Sequence, residues 1–89
     1  MDFDGATLDQ YDKVLELMQL HPGGRAPDGA LFHWCTKTDN GIRVTDVWDS
    51  REQFERFAQE QIGPFTQQAG IQSPPQISFY DVHSYMNGG

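Results

Sequence analysis

The chain has 89 residues, 37% hydrophobic and 12% aromatic, with six Lys plus Arg against 13 Asp plus Glu and a formal net charge of −7. That length holds one domain, expected over 1–86 with 87–89 as a disordered tail, and its apolar content suffices for a core. The negative charge argues against nucleic acid or an anionic membrane as partner, and the single cysteine, Cys35, cannot close a disulfide within the chain.

Met1 to Asp4 alternate apolar and acidic residues and read as a short strand that Gly5 ends. Thr7-Leu-Asp-Gln10 has the form of a capping box, after which Leu8, Tyr11, Val14, Leu15 and Met18 recur at helical spacing. That helix is expected to stop before His21-Pro22-Gly23-Gly24, because proline disfavours helix in the residue before it. A loop over 25–29 leads to two strands, about Ala30 to Thr38 and Ile42 to Asp49. Ser50-Arg-Glu-Gln53 is a second capping pattern, and Phe54, Phe57, Ala58 and Ile62 form one apolar stripe that Gly63-Pro64 kinks or interrupts. Ser73-Pro74-Pro75 is a stiff connection to a last strand, Ile77 to Met86. No stretch approaches a membrane span or has a signal peptide's basic start and apolar run, so a cytoplasmic protein is expected.

Asn40-Gly41 suits a two-residue type I′ hairpin turn, in which both central residues need positive φ. Counting outward from it places Cys35 opposite Asp46 and His33 opposite Trp48, with His33 and Asp46 on a diagonal. One sheet face then carries Leu31, His33, Cys35, Val44, Asp46 and Trp48, and the other Phe32, Trp34, Thr36, Thr45 and Val47. Both faces are apolar enough to need cover. The element order predicts an α+β fold, a ferredoxin-like βαββαβ antiparallel sheet with both helices on one face. Packing two such sheets across a twofold axis would bury the uncovered face, which predicts a homodimer.

The run Arg43-Val-Thr-Asp-Val-Trp-Asp-Ser-Arg-Glu-Gln-Phe-Glu-Arg-Phe57, with the later Ile62-Gly-Pro-Phe65 and Gly70, resembles the dimeric α/β-barrel superfamily, in particular its antibiotic biosynthesis monooxygenase-like proteins. The resemblance covers nearly the whole chain in element order. It implies a dimeric α/β barrel and a small molecule held between sheet and helices. Members include cofactor-independent oxygenases of polyketide quinols, muconolactone isomerase-like proteins and heme-degrading enzymes, so the resemblance speaks to fold more than to reaction. The family's first strand is several residues longer than Met1 to Asp4.

His33 and Asp46 form the smallest set able to do acid-base work, the carboxylate fixing the imidazole tautomer. Both also have plain structural readings, as a packed histidine and a buried carboxylate that needs a partner whatever it does. Trp48 shares their face and is the candidate to stack on a flat substrate, with Cys35, Leu31 and Val44 beside it. On the last strand His83, Phe79 and Tyr85 share one parity, and alternation does not decide whether that row faces the cavity or the helices. Tyr80 is a further phenol donor, and Arg43 reads as solvated. Cys35 next to Asp46 would have its thiolate disfavoured. His33, Asp46 and His83 would be a two-His-one-carboxylate metal set, but no ligand spacing supports it, and no glycine loop for phosphate or dinucleotide is present. The sequence therefore predicts a small enzyme without metal or organic cofactor, acting on a hydrophobic aromatic or polyketide-like molecule by oxygenation, isomerisation or cyclisation. The alternatives are a non-catalytic dimeric ligand carrier and a heme- or metal-binding member of the same superfamily.

Overall fold

In a computed structural model, which describes residues 1–21, 24, 26–84 and 86, the ladder begins at the first residue. Strand β1 (Asp2–Asp4) pairs antiparallel with β3 (Gly41–Trp48), which pairs antiparallel with β2 (Ala30–Lys37), giving the order β1-β3-β2. β1 and β2 thus run parallel on either side of β3, and helix α1 (Leu8–Met18) makes the crossover between them. Thr7 caps α1 in both directions. The Gln10 N–H donates to Thr7 Oγ1 at 3.1 Å and the Thr7 N–H donates to Gln10 Oε1 at 3.0 Å. The helix ends where Gln19 takes a left-handed conformation, φ 62°.

The second helical stretch is continuous through three geometries: α2 (Arg51–Phe57), a π-helical turn (Ala58–Ile62) and α3 (Gly63–Gln68). Ser50 caps α2 by accepting the Gln53 N–H at 3.2 Å. Pro64 has no N–H to give to the preceding turn. The chain meets the proline by widening: the Gly63 N–H donates five residues back, to the Ala58 carbonyl. The expected kink at Gly63-Pro64 is thus a π turn that keeps Phe54, Phe57 and Ile62 facing the sheet. Phe3, Val14, Ile42, Val44, Phe54, Ile62 and Ile71 form the core, with Trp48, Phe57 and Tyr11 packed on it.

Two expectations fail here. The hairpin turns on Asp39-Asn40, not on Asn40-Gly41: the Thr38 N–H donates to the Gly41 carbonyl at 2.9 Å and the Gly41 N–H to Thr38 Oγ1 at 3.0 Å. None of Asp39, Asn40 and Gly41 has positive φ. Gly41 is a strand residue because β1 passes too close for a side chain; a Cβ there would lie 2.0 Å from the Phe3 carbonyl oxygen. The register consequently moves by two residues, pairing Cys35 with Val44 and His33 with Asp46. An even shift keeps the side chains from Phe32 to Lys37 on their expected faces. A bulge between Ala30 and Phe32 leaves Leu31 as the extra residue, so Ala30, not His33, is opposite Trp48.

Among the described residues the expected last strand, Ile77 to Met86, is absent. Residues 77–84 carry no strand, and Gln76 alone bridges to Asp2 at the free edge of β1. The Trp34 face of the sheet lies open, not covered on both sides, with Trp34 49% exposed. Among the described residues no helix is long and apolar enough to cross a membrane.

Candidate functional site

The site is built where α1 crosses the β2–β3 pair. Asp46 and His33 are direct cross-strand neighbours on the helix-covered face, and the Asp46 side chain is only 9% exposed. A carboxylate so buried needs a hydrogen-bonding partner. His33 supplies it, its Nδ1–H donating to Asp46 Oδ1 at 2.5 Å. That bond fixes the imidazole in the Nδ1–H tautomer, with the Nε2 lone pair directed at α1. There Tyr11 donates its O–H to His33 Nε2, also at 2.5 Å. The two rings lie nearly parallel, 10° between planes and 5.9 Å between centroids. The result is a continuous chain from carboxylate to imidazole to phenol, one member from each of three elements.

Tyr11 was legible in the sequence only as a member of the apolar helix stripe. The signal lay in the hydroxyl, since a tyrosine on a core-facing helix stripe must find a partner, and a histidine on the facing strand is the polar group within reach. Burial, followed by the negative charges of Cys35, Asp46 and Asp12, pushes the phenol up to about 12. At neutral pH it is therefore a proton donor held against an acceptor.

The chain opens on a cavity of about 770 Å³ between helices and sheet, within the usual range for small-molecule sites. Six of the sequence-stated candidates line it: His33, Asp46, Trp48, Cys35, Leu31 and Val44, together with Tyr11. Trp48 packs edge-on to Phe54 (5.7 Å between centroids) and tilted against Phe57 (5.3 Å). Its indole Nε1 is, among the described residues, the one buried side-chain polar atom without a hydrogen-bond partner. A donor left this way costs on the order of 1–3 kcal/mol. The Cys35 thiol is pushed up by burial first and by the charge of Asp12 second; the expected cause, Asp46, is not the one that acts.

The remaining candidates lie elsewhere. Phe79 packs against α2, its ring 5.6 Å from Phe54 and 3.9 Å below the Arg51 guanidinium carbon, and it does not line the cavity. His83 is exposed in the unpaired segment, and Tyr85 lies outside the described residues. Without a ladder over residues 77–84, the shared parity of Phe79 and His83 defines no common face. Tyr80 is 87% exposed, and Arg43 is held on the open face by Asp2, Nε to Oδ1 2.7 Å. Among the described residues no three His, Cys, Asp or Glu side chains gather as a metal site, so His33, Asp46 and His83 do not form the conceivable triad. No protein-family model, curated protein or solved structure matches this chain.

Proposed function

We propose that this protein is a small proton-transfer enzyme that takes a flat hydrophobic molecule, aromatic or polyketide-like, into the cavity and removes an acidic proton from it. The Asp46–His33–Tyr11 chain opening on an apolar cavity is the observation that carries this reading. A ligand whose conjugate base is delocalised, an enolisable ketone or a phenol, matches a site with apolar walls and one proton-accepting chain. Isomerisation, cyclisation or reaction of the resulting anion with dioxygen are the conversions open to it, each beginning with the same proton removal. The chemistry proposed uses side chains of the protein and no metal or organic cofactor.

The architecture proposed with it is the ferredoxin-like dimeric α/β barrel. Its support is the order β1-β3-β2 with a crossover helix, and the Gln76 bridge at the edge of β1 where a fourth strand would lie. A second copy laid on the open face would cover Trp34 and offer a ladder to residues 77–84, whose Ile77 and Val82 are 42% and 53% exposed. Light scattering at micromolar concentration should return twice the 10.1 kDa of one chain; a single-chain mass rejects the dimer.

The function is tested with 2-tetralone, a bicyclic enolisable ketone. Its binding is read by quenching of Trp48 fluorescence in a Trp34→Phe background, and its α-proton exchange by NMR in heavy water. Saturable binding with exchange faster than in buffer is the expected result. Binding without exchange would instead identify a ligand carrier.

A further inference from the structure

We infer that Tyr11, not His33, is the catalytic residue that exchanges the proton with the ligand, His33 receiving the proton that Tyr11 gives up. The inference rests on the function proposed above and assigns the roles within it. The sequence alone points to His33 as the base, but both ring nitrogens are already engaged, Nδ1 with Asp46 and Nε2 with Tyr11. No lone pair of the imidazole is left for a ligand. The Tyr11 oxygen is in the opposite position. It donates its single proton to His33 and keeps acceptor capacity of its own, and Tyr11 lines the cavity.

The step balances with no further reactant. The ligand's α C–H bond breaks and its proton forms the new O–H bond on Tyr11, while the original Tyr11 O–H proton passes to His33 Nε2. The electron pair of the C–H bond stays with the ligand as enolate. The products are the enolate, neutral Tyr11 and an imidazolium carrying protons on both nitrogens, and the Asp46 carboxylate stands against the new positive charge. Reversal returns a proton to the ligand. Exchange with solvent enters through the His33 ring, whose side chain is 34% exposed. The elevated phenol explains why the relay is needed: a free phenolate is scarce near neutral pH, so Tyr11 can accept a proton only by releasing one.

The experiment compares wild type, Tyr11→Phe, His33→Gln and a protein with fluorinated tyrosine at position 11, each checked for folding by thermal unfolding. For each, the affinity for 2-tetralone and the pH profile of its deuterium exchange are measured. Tyr11→Phe should lower exchange by about 10²-fold, the scale of losing a positioned acid-base group, with affinity changed less than about twofold. His33→Gln should lower it similarly. Fluorination makes the phenol more acidic, so it should move the alkaline limb of the exchange profile to lower pH. Exchange that persists in Tyr11→Phe but vanishes in His33→Gln would overturn the inference and leave the proposed function standing, since Nε2 would then be shown to act directly. An exchange profile unmoved by fluorination overturns it as well, even if Tyr11→Phe fails to fold. If wild type binds the ketone without exchanging it, the functional reading fails and this inference falls with it.

Discussion

The β2–β3 hairpin and the segment over residues 77–84 are written in the same alternating pattern, yet one is a ladder of two eight-residue strands and the other carries no strand. Alternation decides which side chains share a face; it does not supply a neighbour. β2 finds its partner across a tight turn, and the entropy of closing so short a loop is small. Among the described residues the last segment meets the outer edge of β1, a strand three residues long, only at Gln76, with both backbone bonds at 2.9 Å. Pro74 and Pro75 immediately before it have no N–H to lengthen that bridge. Phe79 then ties the segment to α2 instead, between Arg51 and Phe54.

The hairpin's tie to β1 is the most breakable point of the ladder. Gly41→Ala would place a methyl group 2.0 Å from the Phe3 carbonyl oxygen, so β1 must move away and its pairing with Ile42 and Arg43 is lost. A destabilisation of about 3 kcal/mol is expected, the upper part of the range for forcing atoms into filled space. Urea unfolding measures it, and a loss under about 1 kcal/mol would mean that β1 gives way easily. Such an easily displaced edge would also loosen the Gln76 bridge and erase much of the contrast between the two regions.

What could be read from the residues follows the same division. The first three strands, the helix starts at Thr7 and Ser50, and the face shared by His33, Asp46 and Trp48 were legible because each depends on near neighbours in sequence. The turn position was not. Asn40-Gly41 is a strong local signal for a type I′ turn, but the absence of a side chain at Gly41 serves β1, a contact 38 residues away in sequence (Phe3 to Gly41) that no local pattern contains. The faces survived because the register error was even. Tyr11 was visible as a helix residue and invisible as a site residue, since its role depends on where α1 crosses β2. The row His83, Phe79 and Tyr85 was assigned by parity, which has meaning only inside a ladder.

Removing the anchor of the last segment should cost less than breaking the hairpin's edge. Phe79→Ala deletes a ring that is 43% exposed and its cation–π contact with Arg51, together worth about 1 kcal/mol. The sharper signature is hydrogen exchange. Amides over 77–84 should exchange fast in dilute wild-type protein, faster still in the variant, and remain unaffected in β3. Protection that grows with protein concentration would show the segment gaining a ladder in the proposed dimer; protection in dilute monomer would refute the contrast itself.

At the helix-covered side of the hairpin, alkaline titration reads the Tyr11 contact directly. Its folded-state pKa is raised to about 12, above the ordinary phenol value near 10. The stability it contributes is therefore fully present below pH ~10 and is lost as pH rises from there towards about 12. The ultraviolet phenolate signal should contain a late-ionising contribution from Tyr11 that Tyr11→Phe removes. If Tyr11→Phe leaves the late part of the titration curve unchanged, the phenol is not held as described.

The smallest effect belongs to the clip on the open face, where Arg43 of β3 meets Asp2 of β1 at 2.7 Å. The Asp2 carboxyl is held below its usual range by the hydrogen bond from Arg43 first of all, which outweighs an opposing desolvation, with the charges of Arg43 and the N-terminus adding to the lowering. A depressed carboxylate contributes stability that is present above its unfolded pKa and lost as pH falls through the folded value, so the clip weakens only in acid. Both partners are solvent-exposed, and pairs of this kind are screened by salt and held at an entropic cost. Arg43→Ala should therefore leave the unfolding midpoint nearly unchanged at neutral pH while returning the Asp2 titration, followed by NMR, to the ordinary carboxylate range. In high salt the two proteins should become indistinguishable. A large neutral-pH destabilisation would instead show that the edge of β1, on which both the hairpin and the Gln76 bridge depend, is held by charge more than by its backbone ladder and the buried Phe3 side chain.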